Sequence, residues 1–339
     1  MKRTIMIWTA VACWAGHLNG AVIPDAYHHV DQVIWVVSDM DKTTGAYEEL
    51  GFSQMKDLGQ VPVVWGSSGK LQLVHLVCAN LGGAHVNWIQ PPDGNSPLNI
   101  FLKEKGEGIM SLVHRFPDRN SMKEEVSRLE DLGIKTLERM TIQTKQGEIN
   151  IVLMDTRKEG KYDLGFIAAD GGASLFEDLG PENREGLVLN QYAFAIRDPE
   201  PVSAFWNRIG LPEFQMNHPE LGEPHYYGEP ADHDLIQGWQ RHGDIAYEWC
   251  IPLKPPIVYE DHIQLHGEGI HHLAFSVEDM DRVLEDYTSR GYVVSMGGTW
   301  GEKGKPGSGR YEYIDLDRDG GVTMELLWNY TSPSQTQNL

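Results

Sequence analysis

The alternation of apolar and polar residues near the C-terminus predicts one compact unit. Residues 269 to 276 form a short apolar run, and a polar turn at Asp279 leads into an amphipathic stretch that ends at Gly291. Another apolar run follows, and residues 309 to 330 contain two more, separated by a turn rich in Asp and Gly. Short apolar runs bounded by turn residues indicate strands, whereas the period of the amphipathic stretch indicates a helix. The pattern therefore predicts a βαβββ module.

Three earlier stretches repeat the beginning of this module: residues 31 to 52, 109 to 134 and 190 to 211. In each of them an Asp opens the helix and a Gly closes it, although in the second stretch the Gly comes three residues late. A recurring pattern of this kind is typical of a chain built from repeated structural units. We therefore expect four copies of one module. The residues that take the place of His272 on the first strand are Gln32, Ser111 and Gln191.

Four such modules and the terminal MELLW strand resemble the vicinal oxygen chelate superfamily, over roughly residues 28 to 330. The resemblance implies an α+β fold in which the four βαβββ modules pair into two incompletely closed eight-stranded cups. In this superfamily a cup holds one divalent metal ion, whose ligands come from the first and last strands of each module. The expected domains are residues 28–170 and residues 187–330, with a boundary near residues 178 to 188 that is rich in Pro, Gly and charge.

The second half has metal-binding residue types at all four ligand positions that the resemblance implies. These are Gln191, Glu248, His272 and Glu325. The order Gln-Glu-His-Glu is that of zinc-binding glyoxalase I and is similar to the His-Gln-His-Glu of methylmalonyl-CoA epimerase. Three oxygen donors and one imidazole suit a single divalent metal, for which Zn, Ni, Co, Mn and Fe remain open. His271 is the alternative to His272, although neighbouring residues on a strand point to opposite faces.

The first half lacks such a set at the corresponding positions. Two are neutral amides, which bind divalent metals poorly without carboxylate or imidazole neighbours, and the other two offer no strong ligand. We therefore expect the first half to be a structural partner without a metal. The four residues are Gln32, Asn87, Ser111 and Gly165.

Charge and cysteine content exclude several classes of function. The chain carries 28 basic and 49 acidic residues, for a formal charge of −21, which repels nucleic acid and anionic membranes. Beyond the N-terminal segment only Cys78 and Cys250 remain, and they fall in different halves, so a zinc-thiolate site is not expected. The expected partner is a small-molecule substrate, and a homodimer is left open.

The N-terminal segment has the features of a secretory signal peptide. Residues 1–21 have Lys2 and Arg3 near the start, continue with an apolar run and end in small residues at Gly20 and Ala21. The run is too short to span a membrane as a helix. A secreted or periplasmic location follows from this interpretation, and it disfavours glutathione and acyl-CoA thioesters as substrates.

The ligand set favours a metal-dependent isomerase, epimerase or lyase that abstracts a proton next to a carbonyl. In this hypothesis Glu325 and Glu248 are the catalytic candidates, and Glu325 is favoured as the base because it lies on the strand that bears the base in glyoxalase I. One alternative is a non-haem Fe(II) extradiol or keto-acid dioxygenase, although those enzymes place two histidines and one carboxylate around iron. Another is a non-catalytic protein that binds a small molecule in its cup.

Overall fold

The computed structural model describes residues 23–177, 179–180 and 186–330, so the predicted leader at residues 1–21 lies outside the described residues. None of the helices in the described part is both long and apolar enough to cross a membrane. Short 3-10 turns occur at Asp25–His28, Asp170–Gly172 and Asp317–Asp319.

Among the described residues, the first half contains eight strands and four helices. The strands are β1 (Gln32–Val36), β2 (Met55–Trp65), β3 (Lys70–Leu81), β4 (Ala84–Gln90), β5 (Gly108–Arg115), β6 (Thr136–Gln143), β7 (Glu148–Met154) and β8 (Asp163–Ala169). The helices are α1 (Met40–Glu49), α2 (Pro97–Lys105), α3 (Arg119–Asp131) and α4 (Arg157–Gly160).

The second half contains ten strands and three helices among the described residues. The strands are β9 (Val188–Ala195), β10 (Gln215–Asn217), β11 (Leu221–Tyr226), β12 (Glu229–Pro230), β13 (Asp234–His242), β14 (Ile245–Lys254), β15 (Gly269–Ser276), β16 (Val294–Trp300), β17 (Gly309–Ile314) and β18 (Thr323–Asn329). The helices are α5 (Pro199–Ile209), α6 (Val258–His266) and α7 (Met280–Ser289).

The recurring Asp and Gly of the sequence repeat act as the boundaries of the module helices. The four Asp side chains all accept hydrogen bonds from backbone N–H groups in the first turn of the helix that follows, which satisfies donors that have no partner within the helix. At the other end the backbone is left-handed, with φ of 110° at Gly210 and 93° at Gly291. The predicted α+β class with four βαβββ modules is thus confirmed. The capping residues are Asp39, Asp118, Asp198 and Asp279.

The first sheet closes fully, whereas the sequence predicted an incompletely closed cup. Its strand order is β1-β4-β3-β2-β6-β7-β8-β5, and β5 pairs back with β1. The two modules also meet between β2 and β6. There the end of β2, at residues 63–65, pairs with residues 140–142 of β6 and closes the ring. Apolar side chains fill the ring, including Ile34, Trp65 and Ile151. The interior space left there is about 20 Å³, so this barrel is a packed core.

The second sheet is open and curled, in the order β10-β13-β14-β9-β15-β18-β17-β16-β11-β12. The strand after α5 is broken, so that β10 pairs with β13 at one edge while β11 pairs with β16 near the other. Only residues 218–220 separate β10 from β11 along the chain. This short segment therefore bridges the two edges of the cup.

The two halves share one hydrophobic core that lies between the sheets. The ring of Tyr162 stacks on that of Trp206 with centroids 4.7 Å apart. The indole of Trp206 donates to the carbonyl oxygen of Gly160 at 3.1 Å, and the indole of Trp35 donates to that of Gly320 at 2.6 Å. Because buried indole N–H groups need partners, these bonds fix how the halves pack. The filled first barrel thereby supports the open second cup.

Replacement of Gly160 by Ala is expected to destabilise this interface. An added Cβ would lie 2.3 Å from Cζ2 of Trp206, so the indole or the backbone must move. Overpacking of this kind costs about 1–3 kcal/mol of unfolding free energy. Chemical denaturation measures the loss. Gly45→Ala is the matched control, since nothing lies within 4 Å of its Cβ and Ala favours the α1 helix by roughly 1 kcal/mol. Equal effects of the two changes would contradict the packing account.

Candidate metal centre

Four neighbouring strands of the second sheet bring the predicted ligand residues to one face. Gln191 lies on β9, Glu248 on β14, His272 on β15 and Glu325 on β18, and these strands are adjacent in the order β14-β9-β15-β18. All four are buried, with exposed fractions of 4% for Gln191, 2% for Glu248, 0% for His272 and 4% for Glu325. The repeat register therefore brings these side chains together at the bottom of the cup.

Small residues make room for this cluster. In the strand register, Ala193 lies between Glu248 and His272, and Ala274 lies between Gln191 and Glu325. Residues in register across a sheet share a face, so both alanines point into the cup with the polar side chains. Larger residues there would fill the space among the four polar groups.

The polar atoms of the cluster are in contact. The Gln191 amide nitrogen donates to Oε2 of Glu248 at 2.7 Å and to Oε2 of Glu325 at 3.2 Å. Nε2 of His272 lies 3.2 Å from Oε2 of Glu325 and 3.5 Å from Oε2 of Glu248, although neither contact has hydrogen-bond geometry. One ligand atom each from Glu248, His272 and Glu325 fall within 4.8 Å of one another.

Burial of two carboxylates side by side creates an electrostatic imbalance. Burial raises the pKa of Glu325, and the charge of Glu248 adds to this, while His272 opposes it. Burial lowers the pKa of His272, but the two carboxylates outweigh it and raise that pKa to about 9. In the described part of the chain, no Lys or Arg pairs with either Glu. Buried charges of one sign are stable only when paired or bound to a cation.

The donor set fits a divalent cation. His272 presents a buried Nε2 atom that has no hydrogen-bond partner, and both carboxylates point at the same space. Rotation of the Gln191 amide by half a turn presents its oxygen in place of its nitrogen. Imidazole with carboxylate and amide oxygens suits Zn, Ni, Co, Mn or Fe. Within the described residues, no other group of three such side chains converges.

Two amides that sequence reasoning missed hold Glu248. The Gln237 amide nitrogen donates to Oε1 of Glu248 at 2.6 Å, and the Asn217 amide nitrogen donates to Oε1 of Gln237 at 3.2 Å. Gln237 lies on β13, where Leu235, Gln237 and Trp239 line the cup. The alternation of side chains along the strand at residues 235–241 was the sequence signal that could have placed Gln237 in the cup. Because its two oxygens already accept from Gln191 and Gln237, Glu248 is fixed in position.

His271, the alternative ligand that the sequence left open, lies behind His272 and does not join the carboxylates. Its Nδ1 atom is 2.8 Å from Nδ1 of His272. Burial lowers the pKa of His271 well below its ordinary value, and the neighbouring His272 adds to this, so the ring is neutral. A neutral Nδ1 can accept a hydrogen bond from Nδ1–H of His272, so that the lone pair of His272 Nε2 is directed at the cluster when a metal ion displaces the Nε2 proton. Such contacts behind a metal ligand set its tautomer and orientation.

Replacement of His271 by Leu is therefore expected to weaken metal binding by roughly 10- to 100-fold. His271→Asn, which can keep an acceptor near His272, should recover part of the affinity. Competition with a chromogenic chelator measures the dissociation constant, and near-UV circular dichroism checks the fold. Unchanged affinity in a folded His271→Leu protein would exclude the positioning role.

A cavity of about 520 Å³ opens above the cluster. Tyr259 and Tyr313 lie next to the carboxylates, and their hydroxyl oxygens are 2.6 Å apart. Apolar side chains also line this cavity, including Met296, Trp300 and Leu327. This volume accommodates a small molecule whose polar end meets the cluster and whose body contacts aromatic and aliphatic side chains.

The first half has no comparable site among its described residues. Its ligand-equivalent amides bond to each other, since the Asn87 nitrogen donates to Oε1 of Gln32 at 2.8 Å. An open groove of about 780 Å³ does lie on its surface. However, Arg115 in this groove is paired with Asp31 at 2.5 Å, and no cluster of metal-ligating side chains accompanies it. The candidate functional site is therefore the smaller cavity of the second half, which contains the Glu248, His272 and Glu325 cluster.

Comparisons with known proteins agree with this architecture. Residues 190–309 match the model of the Glyoxalase/Bleomycin resistance protein/Dioxygenase superfamily. A mutant of 4-hydroxymandelate synthase from Streptomyces coelicolor has a similar fold, with a TM-score of 0.58 at 14% sequence identity, over 90% of this chain and 93% of that one. A xylose isomerase-like TIM barrel/4-hydroxyphenylpyruvate dioxygenase fusion protein gives a TM-score of 0.51 at 12% identity, over 90% of this chain and 49% of that one. At these identities the structural likeness concerns the fold alone.

The family match includes Gln191, Glu248 and His272 and ends before Glu325, and the solved structures are similar in fold to the chain over nine-tenths of its length. The chain therefore matches the superfamily model within its second half, and its two sheets built from four βαβββ modules have the architecture that the resemblance to the vicinal oxygen chelate superfamily implies.

Proposed function

We propose that the chain is a divalent-metal-dependent isomerase, epimerase or lyase that removes a proton from the carbon next to a carbonyl of a small oxygenated substrate. The observation that carries the proposal is the donor set itself. Two buried carboxylates, one imidazole and one amide converge at the bottom of the cup, and within the described residues no second histidine joins them. A site with two carboxylates has one more basic group than a site with a single carboxylate, and a basic group is what proton removal requires.

The residues that would hold the cation are Gln191, Glu248, His272 and Glu325. Bound there, a divalent cation would polarise the substrate carbonyl and stabilise the negative charge that develops on its oxygen. The protein supplies the remaining functions. The aromatic and aliphatic walls exclude water from the substrate, and the burial of the cluster strengthens its electrostatic interactions.

Glu325 is the stronger candidate for the general base. Glu248 accepts hydrogen bonds on both oxygens, from Gln191 and Gln237, and so is held in one place. Glu325 accepts the longer bond from Gln191 on Oε2 and lies beside Tyr313, and no second amide of the described residues holds it. A carboxylate with fewer constraints can turn towards the substrate carbon, accept its proton and return it to a neighbouring carbon or to the other face.

A dioxygenase is the second candidate, and the structural relatives support it. One is a 4-hydroxymandelate synthase and another contains a 4-hydroxyphenylpyruvate dioxygenase, and both share this fold over 90% of the chain. Non-haem iron oxygenases commonly use two histidines and one carboxylate. Here Gln191 occupies the position of the first histidine, which favours the isomerase or lyase proposal.

Oxygen dependence distinguishes the two proposals. The purified protein is analysed for bound metals and then incubated in D₂O, with and without oxygen, with a panel of hydroxy-ketones, sugars and keto-acids. We expect metal-dependent deuterium incorporation next to the carbonyl in the absence of oxygen, and its loss after chelation. Oxygen consumption with oxygen in the product would instead establish the dioxygenase. Binding of panel compounds with neither exchange nor oxygen uptake would support a non-catalytic binding protein.

A further inference from the structure

One wall of the cavity carries a cation that the metal cluster does not use. Strand β13 turns Leu235, Gln237, Trp239 and Arg241 towards the cavity, as expected for alternate residues of a strand. Gln237 contacts Glu248 at the bottom, and Arg241 lies at the rim. The wall therefore runs from the cluster to a positive charge at the mouth.

Arg241 is held in place but is not neutralised. Its guanidinium carbon lies 4.4 Å from the centroid of the Trp239 ring, a cation–π contact. Arg241 makes no ion pair or side-chain hydrogen bond with any described residue, and it is the one basic residue that lines the cavity in the described part of the chain. By contrast, Arg310 on β17 is tied to Asp281 and Glu312. In a chain with a net charge of −21, an unpaired Arg at the cavity mouth is available for an anion.

The strand register sets the reach from the cluster to this cation. Trp239 pairs directly with Glu248 across β13 and β14, so the two side chains are neighbours on one face of the sheet. Arg241 is two residues further along, which adds about 7 Å. Stacking on Trp239 brings the guanidinium back along the strand towards Glu248. A ligand of roughly the length of one aromatic ring would span the distance.

We propose that Arg241 and Trp239 form an anion subsite, and that the substrate carries a carboxylate about one ring length from the oxygens that meet the metal cluster. The guanidinium donates to the carboxylate, and the apolar wall of Met296, Trp300 and Leu327 receives the body of the molecule. This inference rests on the proposed function of the cluster, because the reach is measured from Glu248.

A pair of hydroxamates tests the subsite. Benzohydroxamate chelates a metal through two oxygens, and 4-carboxybenzohydroxamate adds a carboxylate at the far end of the ring. Calorimetry with the zinc-loaded full chain is expected to show roughly tenfold tighter binding of the carboxylate compound, the gain typical of one hydrogen bond to a charged group. In Arg241→Gln that advantage should vanish, while benzohydroxamate binds as in the wild type. Arg208→Gln is the matched control, since Arg208 also stacks on a ring, that of Phe205 at 5.2 Å, but lies on helix α5 away from the cavity.

The possible outcomes separate the anion subsite from the metal centre. Equal affinity of the two compounds for the wild type, or an equal loss of both in Arg241→Gln, would overturn the subsite. Arg241-dependent binding of the carboxylate compound without any binding of benzohydroxamate would support the subsite and count against the metal centre. Failure of both compounds to bind would overturn the subsite as well.

Discussion

Replacing Glu325 by Gln is expected to leave the metal bound while turnover falls by roughly 10²- to 10⁴-fold, the effect typical of losing a general base. Gln has a side chain of the same length and keeps one oxygen that can bind the metal, so the cluster retains this ligand. It cannot accept a proton from the substrate carbon. Elemental analysis of the variant and its rate with a substrate found in the exchange screen measure the two effects separately.

Glu248→Gln is the matched comparison, because it removes the other carboxylate of the same cluster. Glu248 is held by Gln191 and Gln237, so we expect its loss to weaken metal binding more than it affects proton transfer. Glu325→Gln should therefore mainly lower turnover, whereas Glu248→Gln should mainly weaken metal binding. If both retained full metal occupancy and full activity, the proposed proton abstraction would be wrong.

His272→Ala is expected to abolish stoichiometric metal binding. It removes the one imidazole of the cluster and leaves two buried carboxylates with only the Gln191 amide between them. A ligand that binds the native state at 100 times its dissociation constant adds about 2.7 kcal/mol of stability. Zinc should therefore raise the melting temperature of the wild type but not of His272→Ala.

His28→Ala serves as the control for that measurement. His28 is about half-exposed and lies in the first half, so its loss should leave the zinc-induced stabilisation intact. An equal stabilisation of His272→Ala by zinc would show that the metal binds elsewhere.

The sequence was sufficient to predict the module, and which strand side chains share one face, because both depend on local signals. The Asp at each helix start has a capping function that any copy of the module needs, and Gly210 and Gly291 adopt left-handed backbone that favours Gly. Once those positions aligned the copies, residues at equivalent strand positions had to share a face. The convergence of Gln191 and His272 follows from that register.

Features that depend on packing between distant segments could not be predicted in this way. Closure of the first barrel requires the end of β2 to reach β6, and the filling of its interior depends on side chains from all eight strands. The break between β10 and β11 depends on which strand is available at each edge of the sheet. Gln237 and its bond to Glu248 emerge only when β13 is placed beside β14.

The location of the metal tests the central claim most directly. Crystals grown with zinc, with data collected on both sides of the zinc absorption edge, give an anomalous difference map that shows each bound ion. We predict one strong peak per chain, in contact with Glu248, His272 and Glu325, with the oxygen of the Gln191 amide turned towards it. A strong peak elsewhere with none at this cluster, or no peak in crystals of folded protein at saturating zinc, would contradict the assignment.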